Sequence, residues 1–499
     1  MTQAMIEYIV WEVLWGTPLI VTVLTIGIYL TVKTGFFQFR FGGFAMKEAI
    51  KAFTGGKDKK DSAGVISSFQ AMSVALGTTV GVGNIGGVAS AIAIGGPGAI
   101  FWMWVAGVLG TVVKMTEISL ALHYRSHNAD GSAYGGPNYY MKKGIGIQKK
   151  MHGVAKFLSA LFAFGFMVGF FINIQIYTVS EAIASTFSFD MIPVAIAFTV
   201  ILYLMIAGGL KGLGRIAEYM VPFMIVFYLG AGLFIIFANI GMLPESLALI
   251  FGSAFTGTAA VGGFAGAAFS HAIKTGMARS VFSNEAGWGS APMVHASAKV
   301  DHPLKQGILG VFEVTVDTLF ICSITALVIM VTGQWSSGLS GAELTLTAFE
   351  TGIGSAGRIV LAFGTFLFGI TTASGLFAQM EVVVRFLIGD SPRKATILNV
   401  YKWTYPLPGL ALVMIAVYYA FPGTTVWLFS DMSTALPIFA NIVALGILSP
   451  KFSELLKDYK ARYMGIGKVD PNFKVFYEEV PGAALASNAT DATDAREKA

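Results

Sequence analysis

An all-α polytopic membrane protein is the fold class this sequence predicts, and three observations carry it. Of 499 residues, 55% are hydrophobic and only 12% are charged, whereas soluble domains carry about a quarter charged residues. Apolar runs recur along nearly the whole length, each near the ~20 residues needed to cross a hydrocarbon core of about 30 Å. Basic residues then collect in every second loop between those runs.

Hydropathy divides the chain into eleven spans, near 11–32, 67–95, 98–122, 155–185, 191–210, 219–241, 257–296, 306–332, 356–384, 396–421 and 423–448. The first has no basic leader and no small-residue cleavage site, so it is expected to be retained and not to act as a signal peptide. Lys33, Arg40, Lys47, Lys51, Lys57, Lys59 and Lys60 follow span 1, and Arg125, Lys142, Lys143, Lys149 and Lys150 follow span 3. Lys211 and Arg215 follow span 5, Lys299 and Lys305 follow span 7, and Arg385, Arg393, Lys394 and Lys402 surround the end of span 9. The tail adds Lys451, Lys457, Lys460 and Arg462, while the opposite loops hold almost no basic residue except Arg358. The positive-inside rule then puts the N-terminus outside the plasma (inner) membrane and the C-terminus in the cytoplasm.

A pI near 9.0 in such a chain reports basic cytoplasmic loops and does not call for nucleic acid. The single cysteine, Cys322, precludes an internal disulfide and reads as a small core residue. No histidine pair has metal-ligand spacing. The expected organisation is one transmembrane domain over 1–450 and a polar tail over 451–499, whose end, "ASNATDATDAREKA", reads as disordered.

The segment "GTTVGVGNIGGVASAIAIGGPG" (77–98) contains GxGxxG as Gly81, Gly83 and Gly86. A dinucleotide fingerprint needs a preceding strand and an acidic residue about 20 positions on. Here the flanks are apolar spans and the next carboxylate, Glu117, lies inside span 3. Small residues at every fourth position also allow close helix packing, a spacing that Gly83 and Gly87 satisfy. The alternative is a deliberate break in the helix, tolerated at membrane depth only where backbone is buried in protein or lines a cavity. A second glycine-rich, interrupted stretch at 256–292, in span 7, favours the break. Without span 1, ten spans remain: one repeat over about 67–241 and a second over about 257–448, each opened by an interrupted helix. Five is odd, so the repeats run in opposite senses, which points to a substrate and ion site near the midplane.

Polar residues inside spans mark further candidates. Asn84 lies at the first break, its amide offering both donor and acceptor. Gln175, within "FFINIQIYTV", either bridges helices or faces a central cavity. "FSNEAGWGSAP" (282–292) puts Phe282, Ser283 and Gly287 at the second break, with Glu285 as an ion-pair partner, cap or proton carrier. Thr371, Thr372 and Ser374 either bond back to their own helix or offer neutral oxygens to a monovalent cation. Lys114 and Glu117 have the spacing of a structural pair. Glu313 and Asp317 share one face, suited to bonds across the bundle or a proton relay. His271, Lys274 and Arg279 are expected on the cytoplasmic side of span 7.

Four blocks, "TTVGVGNIGGVASAIAIGGPGAIFWMWV" (78–105), "GGPNYYMKKGIG" (135–146), "AAVGGFAGAAFSHAIKTGMARSVFSNEAGWGSAP" (259–292) and "AKVDHPLKQG" (298–307), resemble the alanine or glycine:cation symporter family. These are the sodium:alanine symporters of the amino acid–polyamine–organocation superfamily, and the resemblance spans roughly residues 60 to 335. It implies eleven helices, one extra N-terminal helix followed by a 5+5 inverted repeat of leucine-transporter type with two broken helices. It further implies a symporter, not an enzyme, that couples uptake of a small neutral amino acid to inward sodium flow. The alternatives it leaves are proton coupling and a larger amino acid such as glutamine.

By motif, Gly81, Val82, Gly83 and Asn84 would bind the substrate's amino and carboxylate groups. Gln175 resembles the family's amide on the third helix of the repeat, and Phe282, Ser283 and Gly287 would shape and cap the pocket. Thr371 and Thr372, with backbone near Thr79 and Val80, would coordinate sodium, and Thr372 also borders the substrate. No other cofactor is implied; the partners are the amino acid, sodium and lipid. The sequence departs from the family pattern at Val82, at Trp288 and over "TTASGLFAQME" (371–381). On this reading no intramembrane charge is needed to match a zwitterion, because half-helix ends and freed carbonyls suffice.

Overall fold

The computed structural model describes residues 3–53, 65–128, 131–255 and 265–478. The start of span 7 (256–264), Lys57, Lys59 and Lys60, and the polar end at 479–499 lie outside the described residues. The described chain is predominantly helical, its one sheet being the two-stranded pair Ser126–His127 with Ala133–Tyr134.

Eight helices are long and apolar enough to cross a membrane: Ala4–Lys33, Gly98–His123, His152–Phe187, Gly209–Ala238, Pro303–Val331, Ser355–Ile388, Lys394–Tyr418 and Gly423–Met464. Ser68–Thr79 and Gly83–Gly95 form a bent pair, with 41° between their axes, at the glycine stretch of span 2. Span 5 is the shorter apolar helix Met191–Ala207, and span 7 contains Ala265–Asn284 and Ala291–His295.

Three features differ from the hydropathy reading. Span 4 is interrupted, as His152–Phe171 ends and Ile174–Phe187 begins across Ile172 and Asn173. Span 11 does not stop near 448; its helix runs to Met464, so the polar tail begins as helix. Pro450 falls inside it without ending it. Additional helices connect the spans, among them the amphipathic Gly42–Phe53, Leu243–Phe255 and Gly341–Ile353. They are too short to register as apolar runs.

The basic loops meet at one end of the bundle. Lys33 bonds to Ser449 at 2.9 Å, Lys460 stacks over Phe37 and Phe41, and Lys305 over Tyr463. Lys394 faces Tyr134 and Lys402 donates to the Ala207 carbonyl at 2.8 Å. At the other end Arg358, the one basic exception, is held by Glu343 and Glu350. Lys274 there pairs with Glu12 at 2.8 Å. His271, Lys274 and Arg279 therefore lie on the half of span 7 that precedes its break, at the end opposite the basic loops. This corrects their expected cytoplasmic position.

Small residues allow the closest helix approaches. A Cβ on Gly165 of span 4 would come within 2.5 Å of the Pro437 ring and 2.9 Å of Leu436 in span 11. Overpacking such a contact costs about 1–3 kcal/mol. Gly165→Leu is accordingly expected to lower the thermal unfolding temperature of the detergent-solubilised protein. Gly153→Leu is expected to leave it unchanged, since nothing lies within 4 Å of that position.

Candidate functional site

The first break begins where Ser68–Thr79, N-capped by a Ser67–Gln70 capping box, gives way at Val80 to extended backbone. Asn84 holds the turn from the far side, its Oδ1 accepting the Gly81 N–H at 2.8 Å. Gly81 must be glycine, because a Cβ there would lie 2.2 Å from the Thr372 hydroxyl. Val82, fully buried, packs toward Gly369 of span 9. The ring of Phe282 covers Gly83, 3.0 Å from where a Cβ would stand.

The second break is built by left-handed residues. Glu285 (φ 56°), Gly287 (φ 85°) and Gly289 (φ 82°) carry the chain from Asn284 to Ala291. Left-handed Glu285 costs of order 1–3 kcal/mol and is held by its neighbours. Its carboxylate accepts from Ser290 at 2.6 Å, and Asn284 accepts the Ala286 N–H at 2.9 Å. The Gly287 carbonyl accepts from Asn441 of span 11 at 2.9 Å, and the residue packs against Ile442. Gly287 thus fixes the break, and its neighbour Trp288 is the residue that reaches the cavity described below.

The two breaks meet at a carboxylate. Asp317 of span 8 accepts from Asn84 Nδ2 at 2.6 Å, from Ser283 Oγ at 3.0 Å to each oxygen, and from Thr318 Oγ1 at 2.8 Å. Cys322, one turn on, touches Asn84 Nδ2 at 3.3 Å and Ser283 Oγ at 3.1 Å. All five side chains are at most 2% exposed. The neutral lining expected from sequence is therefore corrected: an acidic group joins the breaks. Sequence reasoning saw Asp317 and Cys322 but gave neither a place at the site. The available signal was Asp317 itself, a carboxylate inside an apolar span.

Behind the breaks, Lys114 does not pair with Glu117 as its spacing suggested. Its ammonium donates to the Asn284 carbonyl at 2.7 Å and the Thr79 hydroxyl at 3.3 Å, and lies 3.8 Å from Glu313. Glu117 instead accepts from Asn441 at 2.8 Å.

The hydroxyl pair of span 9 divides. Thr372 Oγ1 reaches the carbonyls of Gly77 and Thr78, both at 3.1 Å. Thr371 bonds back to Leu367 and Phe368 of its own helix, and Ser374 to Thr371. Val80 begins the extended turn, while the Thr79 hydroxyl bonds back to Ala75. A cation held by a hydroxyl and freed carbonyls therefore has donors at Thr372, Gly77 and Thr78. Among the described residues no group of three or more His, Cys, Asp or Glu has the arrangement of a metal site.

A cavity of about 30 Å³ lies beside the second break, lined in part by Asn173, Gln175, Phe282, Trp288 and Ser430. Gln175 thus faces the cavity, placed there by the unforeseen interruption of span 4. Phe282 stacks on Trp288 (6.0 Å, 25°) and meets Trp427 edge-on at 5.6 Å. Above this aromatic layer the Arg279 guanidinium forms a two-pronged pair with Asp431, at 2.6 and 2.8 Å, and lies over Trp427. The indole of Trp15, from span 1, donates to the Asp431 carbonyl at 3.1 Å.

Helices interrupted opposite one another around buried ligating groups, in a multi-pass apolar bundle, define a membrane transporter. The particular family follows from comparison: the sequence description of the sodium:alanine symporter family matches residues 1–474, and the chain belongs to that family. It is a transporter and not an enzyme. It is 36% identical over 443 residues to a sodium/alanine symporter of Methanococcus maripaludis, covering 87% of this chain and 92% of that one. It is also 36% identical over 482 residues to a probable sodium/glutamine symporter of Bacillus subtilis, covering 96% and 95%. Among solved structures, the fold is similar to that of MhsT in complex with L-phenylalanine, with a TM-score of 0.54 at 13% identity, covering 79% of this chain and 98% of that one.

Removing one partner of a buried ion pair strands the other at a cost of about 3–5 kcal/mol, whereas an apolar replacement of both is often tolerated. Arg279→Met is therefore expected to destabilise the protein by that order, and the Arg279→Met/Asp431→Leu double variant to recover most of it. Thermal unfolding of the three proteins in one detergent checks this.

Proposed function

We propose that this protein is a secondary active symporter that couples uptake of a small neutral amino acid, alanine or glycine and also serine, to inward sodium flow. The observation that carries the reading is the meeting of Asn84 and Ser283, one from each interrupted helix, on the Asp317 carboxylate. Family membership supplies the class of cargo and ion.

In this reading Met191–Ala207 and the segment ending Ala291–His295 count as spans with the broken pair, giving eleven in all. The last ten form the inverted repeat, over about 67–241 and 257–448, in one transmembrane domain with a cytoplasmic tail. The gathering of basic loops at one end supports an outside N-terminus and a cytoplasmic C-terminus.

The substrate's carboxylate would take the backbone amides of Gly81, Val82 and Gly83, and its ammonium would lie against Asn84 Oδ1 and Asp317, with Ser283 closing the ring. Its side chain would enter the cavity at Gln175 and Phe282, bordered by Thr372 and with Gly287 fixing the wall behind. Sodium would be held by Thr372 with the carbonyls of Gly77 and Thr78, adjacent to Thr79 and Val80, and Thr371 would support it from its own helix. A sodium ion there holds the first break in shape, so ion and substrate each strengthen the other's binding. Alternating access would follow from rocking of the helices carrying the breaks, with Arg279, Asp431, Phe282 and Trp427 as the barrier on the outer side.

A cavity of about 30 Å³ favours a small side chain. The alternative, a larger amide-bearing amino acid such as glutamine, is favoured by one observation: the Trp288 indole N–H has no hydrogen-bond partner among the described residues.

Uptake of labelled alanine into proteoliposomes, with an inward sodium gradient against a choline control, tests the proposal. Accumulation is expected with sodium alone and is expected to vanish in Asn84→Ala, while glycine, serine and glutamine as competitors rank the substrates. Thr372→Ala is expected to raise the half-saturating sodium concentration by about tenfold, equivalent to about 1.4 kcal/mol. Uptake indifferent to sodium would defeat the coupling assignment.

A further inference from the structure

Behind the two breaks lie four carboxylates, Glu117, Glu285, Glu313 and Asp317, around one lysine, Lys114, all at most 1% exposed. Four anions and one cation do not coexist in a membrane interior, where each uncompensated charge costs several kcal/mol. The contacts show which charges are compensated. Asp317 accepts from three side chains on three segments and is built to be ionised.

Glu313 lies 3.8 Å from Lys114 and 2.9 Å from His295 Nε2. Gln306 turns its Nε2 toward His295 Nδ1 at 2.8 Å, since its Oε1 is occupied by the Ser68 hydroxyl. Nδ1 is thus the acceptor, and a neutral His295 presents its Nε2–H to Glu313. Glu313 and Lys114 form a neutral unit. Glu285 has Ser290 as its one side-chain donor.

Glu117 is different. Its Oε2 accepts from Asn441 Nδ2, while its Oε1, fully buried, has no hydrogen-bond partner among the described residues. An anion there would leave a charged oxygen bare, whereas the neutral acid leaves only a weakly polar group unsatisfied. The groups facing it are Lys114 on its own helix, Glu285 in the second break and the Tyr140 hydroxyl. Glu313, Asp317 and His295 stand on the far side of Lys114, already paired. Asn441 donates to both Glu117 and the Gly287 carbonyl and accepts from Tyr140. The carboxyl is therefore wired to the backbone of the second break.

We propose that Glu117 is a proton-binding site: its carboxyl carries a proton in the closed conformation described above and releases it to water when the break at Gly287 opens. The proton is a second ion in the cycle, bound at a place separate from the cation donors at Thr372. The bond that breaks is the Glu117 O–H, the electron pair stays on the carboxylate, and water takes the proton. Because the closed state binds this proton more tightly than the open one, rising pH disfavours closure.

Infrared spectroscopy of the purified full-length protein at neutral pH, wild type minus Glu117→Gln, reads the proton without requiring transport. The expected result is a protonated-carboxyl C=O band present in wild type and lost in the variant. In proteoliposomes under a fixed sodium gradient, wild-type alanine uptake is expected to fall as pH rises, by at most about tenfold per unit for one proton. Glu117→Gln, which mimics the protonated acid, is expected to keep sodium-driven uptake and lose that slope. An unchanged infrared band, or a variant that retains the wild-type pH slope, would overturn the assignment. If neither protein takes up amino acid, the symport reading fails while the infrared result still decides the proton site.

Discussion

The structure is organised by the need to satisfy one buried carboxylate. In water Asp317 would be solvated at no structural cost, but inside the bundle its donors must be supplied by the protein. They come from Asn84 in the first interrupted helix, Ser283 at the end of the second helix's leading half, and its neighbour Thr318. Charge-assisted bonds of this kind are roughly twice as strong as neutral ones. Two segments that have each given up helical hydrogen bonds are thereby stitched to a third that has not.

This explains why the irregular backbone is stable at membrane depth. Each break is closed by an amide, Asn84 at Gly81 and Asn441 at Gly287, so freed backbone groups find partners within the protein. Lys114 caps the leading half of the second broken helix through the Asn284 carbonyl, where the negative end of the helix favours a cation. The interruptions are thus built from polar residues that occupy each other, leaving few groups free to bind anything else. Thr372 on the carbonyls of Gly77 and Thr78 follows the same logic: the protein's own hydroxyl occupies the donors that a cation would claim.

Much of this was legible in the sequence. Apolar length and basic loops gave the spans, because both signals come from the bilayer and not from packing. The glycine clusters gave both breaks, since only a deliberate interruption concentrates glycine in that way. What stayed hidden depends on pairing between distant helices. Lys114 and Glu117 sit one turn apart and look coupled, yet each finds its partner elsewhere, on Asn284 and Asn441. Span 4 reads as one apolar run because Ile172 and Asn173 carry neither glycine nor proline to mark the break. The side of the molecule on which Lys274 lies became plain only from its contact with Glu12.

The N-terminal helix touches the outer barrier at two points of different mechanical character. Trp15 donates to the backbone of Asp431, in the long helix Gly423–Met464, while Glu12 grips Lys274 on the leading half of span 7. One contact is a short, directional bond to the main chain. The other joins two side chains, one of them half-exposed, and can lengthen through several rotatable bonds. The helix therefore behaves as a leash, anchored at the tryptophan and elastic at the lysine. It lets span 7 swing away from Asp431 only as far as two extended side chains reach.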